Sequence, residues 1–129
     1  NGVEEVHSSS GIIISTGAGS TGWLSSIFNM ANGMITSFGE DNEILNQPKL
    51  SWETEQLIFV VREPFVSKTS SSHIVCGQIT PNSTLVIESH MPESGVIFSD
   101  GVEKDFLSFN AGRVVEIKLS KKKSRLVVH

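Results

Sequence analysis

The hydrophobic rhythm of the chain changes near residue 20. Before it, Ile12-Ile13-Ile14 is an unbroken β-branched run, stiff at χ1 and suited to a buried strand. Gly17, Gly19 and Gly22 interrupt it. From Ser20 to about Phe38, Trp23, Ile27, Met30, Ala31, Met34 and Phe38 recur at three- and four-residue steps, which predicts an amphipathic helix. Ser20 or Thr21 is placed to cap its start and Gly39 to end it. Gly33 weakens its middle by roughly 1 kcal/mol. Residues 39–54 are polar and read as a loop. Beyond them, short apolar runs predict strands over 56–62, 73–78, 84–89, 95–99, 113–119 and 125–128, and Val3-Glu4-Glu5-Val6 reads as an edge strand.

Turn residues separate these runs: Glu63-Pro64, Thr80-Pro81-Asn82, Met91-Pro92, Asp100-Gly101 and Asn110-Ala111-Gly112. Asp-Gly and Asn-x-Gly tolerate the positive φ that tight turns need. Short strands at this spacing indicate an antiparallel sandwich or barrel rather than a parallel sheet. The expected fold is mainly β: a β-sandwich-like antiparallel body with one N-terminal helix after a glycine-rich loop, all in one domain over residues 1–129.

Composition narrows the functional classes. The net charge is −4, which argues against a nucleic-acid module, whose footprint is basic. The one basic run, Lys121-Lys122-Lys123, reads as a solvated turn. The single cysteine, Cys76, excludes an internal disulfide and reads as a small buried hydrophobe. No apolar segment approaches the ~20 residues of a membrane helix, and no signal-peptide pattern is present. Neither a nucleic-acid nor a membrane partner is therefore expected, and a reducing, cytoplasmic setting is the default. The four histidines have no metal-ligand spacing, and no nucleophile–base pair or carboxylate pair stands out. No metal site and no catalytic residue is assigned to this chain.

The chemistry concentrates in Gly17-Ala18-Gly19-Ser20-Thr21-Gly22, literally G-x-G-x-x-G between a strand and a helix. Glycines there admit close backbone approach, and free amides at a helix start favour a polar or anionic ligand. A dinucleotide-binding Rossmann unit would need a second parallel strand after the helix and an acidic residue about 20 residues on. Here that stretch is the polar loop with Glu40 and Asp41, and everything after it reads as β. The plain alternative is a tight strand-to-helix turn and nothing more. The hydroxyls of Ser15, Thr16, Ser20, Thr21, Ser25 and Ser26 favour a ligand, since they offer donors and acceptors beyond what capping requires.

Residues 10–23, SGIIISTGAGSTGW, resemble the NAD kinase segment D-G-[VL]-I-[VI]-S-T-P-T-G-S-T-A-Y. Ile12–Thr16 match its strand and Ser-Thr, and Gly19-Ser20-Thr21 match its Gly-Ser-Thr. Gly22 stands at its alanine and Trp23 at its tyrosine. Arg62-Glu63-Pro64, Ser99-Asp100-Gly101 and the last apolar runs follow in the family's order, so the resemblance covers residues 10–128. The tryptophan and the Arg-Glu-Pro are closer to the divergent, mitochondrial-type branch, which would imply a mitochondrial setting. The chain departs from the family at Ser10, where the family has aspartate, and at Gly17-Ala18, where it has Pro-Thr.

The resemblance implies the C-terminal, NAD-binding domain of a two-domain enzyme that uses ATP to phosphorylate the 2′-hydroxyl of the NAD adenosine ribose. The chain starts at Asn1 and has neither a Gly-Gly-Asp-Gly motif nor an Asn-Glu pair matching the family's. The N-terminal α/β domain, with its catalytic aspartate and most contacts to ATP and Mg2+, is therefore expected outside it. Residue by residue, Thr21, Gly22, Trp23, Ser26 and Asp100 match substrate-contacting positions, and Gly17, Gly19 and Ser20 form the loop backbone. NAD or NADP, the N-terminal domain and further copies of the chain are the implied partners. A non-catalytic β-sandwich binding domain and a related lipid-kinase-type domain remain the competing readings.

Overall fold

The computed structural model describes residues 2–39, 44–99, 102, 104–125 and 127. Among them the protein is mainly β: strands pair antiparallel in open sheets, and one helix follows the first strand. The chain divides into two compact units, Asn1–Pro81 and Asn82–His129. No helix of the described residues is long and apolar enough to cross a membrane.

In the first unit the β-branched run becomes β1, Gly11–Ser15. It pairs with β2, Leu57–Arg62, which pairs in turn with β3, Cys76–Ile79. Central strand β2 buries four consecutive residues, Ile58 to Val61. A strand with unbroken burial needs no polar–apolar alternation, which is why Leu57-Ile58-Phe59-Val60-Val61 reads as one apolar run. Phe59 lies so close beneath Gly77 that a Cβ there would sit 2.6 Å from its ring. Helix α1, Trp23–Phe38, is seated by Leu24, 1% exposed, which clusters with Ile58 and Val60 and with the half-buried Ile27, Phe28 and Leu50. Gly39 closes the helix, its N–H donating to the Ile35 carbonyl at 2.7 Å.

The buried side of α1 differs from the predicted stripe. Trp23, Met30, Met34 and Phe38 are exposed, Phe38 by 85%. The helix carries apolar residues on two sides, and periodicity alone does not choose between them. The side carrying Leu24 and Phe28 is the one that meets the sheet.

Residues 3–6 form no strand. An isolated bridge joins Ser8 to Phe65, and the Ser71 N–H donates to the Val6 carbonyl. The Glu5 carboxylate, 9% exposed, replaces further ladder bonds. It accepts the His73 N–H at 2.9 and 3.0 Å, the Ile74 N–H at 3.0 Å, and the His7 Nε2 at 2.7 Å. His7 Nδ1 is buried without a partner. Capture of these amides also explains why β3 starts at Cys76 rather than at residue 73. Cys76 is exposed, not buried as its apolar neighbours suggested, because it opens a strand at the edge of the sheet. Burial pushes the Glu5 carboxyl up, but the Ile74 and His73 amides and the charges of His7 and His73 outweigh it and hold it below its ordinary value.

The second unit is one long hairpin. Strand β4, Leu85–Glu88, pairs with β7, Val114–Ile117, and within that pair β5, Val96–Phe98, meets β6, Phe106–Ser108. Between the two ladders, seven residues on one side (89–95) face five on the other (109–113), so the ribbon is broken by a bulge. Buried Ser89 holds the break: its Oγ donates to the Phe109 carbonyl at 2.6 Å and accepts the Met91 N–H at 3.2 Å. Asn110 Oδ1 takes the Gly95 N–H at 2.9 Å. Gly112, at φ 82°, completes the predicted Asn110–Arg113 turn. Strand β6 is not among the strands expected from the sequence; its three residues are all exposed and show no alternation of buried and exposed positions. Arg125 and Val127 lie outside any strand, and the rest of the run expected over 125–128 falls partly outside the described residues.

Two outcomes test this description. Gly33 is exposed inside α1 with no atom within 4 Å of a built Cβ, so Gly33→Ala stabilises the protein by about 0.5–1 kcal/mol in urea unfolding. Because the folded-state pKa of Glu5 is depressed, its stabilisation is present above the ordinary value of 4.5 and lost as pH falls through the lower folded value. Glu5→Gln therefore lowers the thermal midpoint at neutral pH and reduces its decline in acid below pH 4.5. Superimposable midpoint–pH curves for the two proteins would contradict this assignment.

Candidate functional site

Seven residues, 16–22, carry the chain from β1 to α1. Thr16 Oγ1 accepts the Gly19 N–H at 3.1 Å, and Ser20 Oγ donates to the Gly17 carbonyl at 2.8 Å. Ser15 Oγ donates to the Thr16 carbonyl. The Gly22 N–H returns to the Gly19 carbonyl at 3.1 Å. Half of the six hydroxyls around the turn are thus engaged in holding its shape, with Ser15 and Ser20 buried.

A strap from the 44–54 loop closes one side of this turn. Asn32 in mid-helix grips Leu45 through both backbone groups, at 3.0 and 2.7 Å. Gln47 Nε2 donates to the Ser20 carbonyl at 2.6 Å. The Ser51 carbonyl lies where a Cβ on Gly17 would sit, 2.0 Å from it. Gly17 therefore serves close approach by the chain's own backbone. Gly19 and Gly22 are looser, each with a nearest neighbour 3.4 Å from a built Cβ.

The other side is open. Gly22 is the N-cap and contributes no side-chain cap, and the first turn of α1 contains no acidic residue. Neither Ser20 nor Thr21 caps the helix, because Ser20 is turned inward to Gly17 and Thr21 precedes the cap. First-turn amides without a side-chain cap, in a turn that itself carries no acidic residue, leave the positive end of the helix dipole without a counter-charge from the helix's own first turn. Thr21, Gly22 and Ser26 are exposed around this end, and the hydroxyls of Thr21 and Ser26 have no hydrogen-bonding partner among the described residues.

Trp23, the first helical residue, is 39% exposed. The half-buried Arg62, last residue of β2, lays its guanidinium 4.7 Å from the Trp23 ring centroid. This is a cation–π stack. The Arg62 backbone also anchors the start of β1: its carbonyl accepts the Ser10 N–H at 3.1 Å. The next residue, Glu63, takes φ 48° and turns the chain out of the sheet.

The structure thus brings Gly17, Gly19, Ser20, Thr21, Gly22, Trp23 and Ser26 together at one turn. Asp100 lies outside the described residues. Among those residues, no group of three or more His, Cys, Asp and Glu is placed to hold a metal ion. Sequence reasoning did not assign roles to Arg62, Gln47 or Asn32 in this site. Arg62 carried a faint signal, a cation ending an otherwise apolar strand. Gln47 and Asn32 carried none, since loop partners 13 and 27 residues apart leave no periodic trace.

Gly17→Ala forces the Ser51 carbonyl away and costs about 1–3 kcal/mol, whereas Gly19→Ala costs less. Urea unfolding of the two variants checks the order; equal losses would remove the strap's claim on Gly17.

No family model, curated protein or solved structure matches the chain.

Proposed function

We propose that this chain is the substrate-binding domain of an NAD kinase-like phosphotransferase, holding the adenosine part of NAD at the start of α1. The observation that carries the reading is the open helix end: an uncapped, acid-free first turn with Thr21, Trp23 and Ser26 exposed around it. It stands in the segment whose sequence resembles that family. Free amides and the Thr21 and Ser26 hydroxyls suit the hydrogen-bonding edges of a ribose or adenine. The indole of Trp23 offers a face for a base.

In this reading the domain contributes placement. Phosphoryl transfer depends on holding the acceptor hydroxyl in line and neutralising charge. In keeping with the resemblance, contacts to ATP and Mg2+ and the base that receives the 2′-hydroxyl proton are assigned to a companion domain. The setting that goes with this role is cytoplasmic, or mitochondrial for the divergent branch. Self-association accompanies it, since edge strands such as β3 present free backbone groups.

Thr21→Ala and Trp23→Ala in the intact protein each weaken NAD or NADP binding about fivefold, the equivalent of roughly 1 kcal/mol. Thr21→Ala changes thermal stability little, because the residue is exposed, whereas Trp23→Ala also loses the stack under Arg62 and lowers stability by less than it lowers binding. Calorimetric titration is the measurement, and unchanged affinity in both variants would overturn the reading.

A further inference from the structure

Arg62 is the one described residue of the site that carries a full positive charge. Its guanidinium is half-buried and stacked on Trp23, and among the described residues no carboxylate lies within ion-pair distance of it. A cation withdrawn from water without a counter-ion is costly, and the stack offsets part of that cost. It does so through the π face, leaving the in-plane N–H donors of the fork without a hydrogen-bond acceptor among the described residues. Those donors match the oxygens of a phosphate, which a guanidinium binds bidentately. The chain places the group firmly. Arg62 ends the most buried strand, is paired in register with Gly11, and precedes a residue whose positive φ fixes where the strand stops.

We infer that Arg62 and Trp23 form one recognition unit for a phosphorylated nucleoside, in which the indole receives the base and the guanidinium stacked on it binds a phosphate oxygen. This rests on the proposed function and deepens it. The unit selects the dinucleotide over a bare nucleoside, and the selection resides in a residue of β2 outside the glycine loop. An acidic side chain in place of the phosphate would leave the base unread, and a nucleoside without phosphate would leave the fork unsatisfied.

The test is calorimetry on the intact protein with NAD. Adenosine is measured by its displacement of bound NAD, so that only the dinucleotide site is read. Arg62→Gln is expected to weaken NAD about tenfold, as loss of a hydrogen bond to a charged group does, while adenosine changes less than twofold. The salt dependence of NAD affinity becomes shallower in the same variant. Arg62→Lys, which keeps the charge and loses the planar fork, falls between, and it carries the comparison through its NAD-to-adenosine ratio if the glutamine variant does not fold. An unchanged NAD affinity, or equal losses for NAD and adenosine, would overturn the inference alone. Failure of the unsubstituted protein to bind NAD would overturn the proposed function with it.

Discussion

The Ser51 carbonyl resting against Gly17 sets what the rest of the first unit can do. With no room for a side chain at residue 17, the turn after β1 stays flat against the 44–54 strap. Ser20 is then held inward on the Gly17 carbonyl, and Gln47 closes over it. One side of the glycine loop is given to the chain itself. Only the far side, where α1 begins at Trp23, stays open.

The same division runs through the polar groups. Ser15, Thr16 and Ser20 satisfy backbone groups that the abrupt change from strand to helix would otherwise strand. Thr21 and Ser26 lie beyond the turn and are spared that duty. Trp23 stands between the two roles. Its neighbour Leu24 is buried in the cluster with Ile58 and Val60, which fixes the first turn of the helix. The indole itself remains partly exposed beneath Arg62. A rigid, buried strand thus holds the cation, and a rigid helix start holds the aromatic ring, so neither depends on a mobile loop for its placement.

Much of the fold was legible because it rests on local rules. The β-branched Ile12–Ile14 run, the apolar stretch that became β2, the Gly39 stop and the Asn110–Arg113 turn all follow from side-chain shape and backbone freedom over a few residues. The readings that shifted were those where a distant group intervened. Residues 3–6 and 73–75 had the composition of strands, but Glu5 reached across 68 positions to take the His73 amide. Cys76 had apolar neighbours, yet strand order put it at an edge. On α1, two apolar sides competed, and the neighbouring sheet selected the one with Leu24.

Sequence alone determined the class of structure and the place of the candidate site: a strand, a glycine-rich turn and a helix start rich in hydroxyls, leading into an antiparallel β body. Those features are written in short-range periodicity, where each residue's preference is set by its immediate neighbours. Tertiary structure decided which hydroxyls were consumed by the turn, which glycine was sterically required, and which cation stood over Trp23. Each of these depends on a partner far along the chain, Ser51 for Gly17, Gln47 for Ser20 and Arg62 for Trp23, and long-range packing leaves no mark in local pattern.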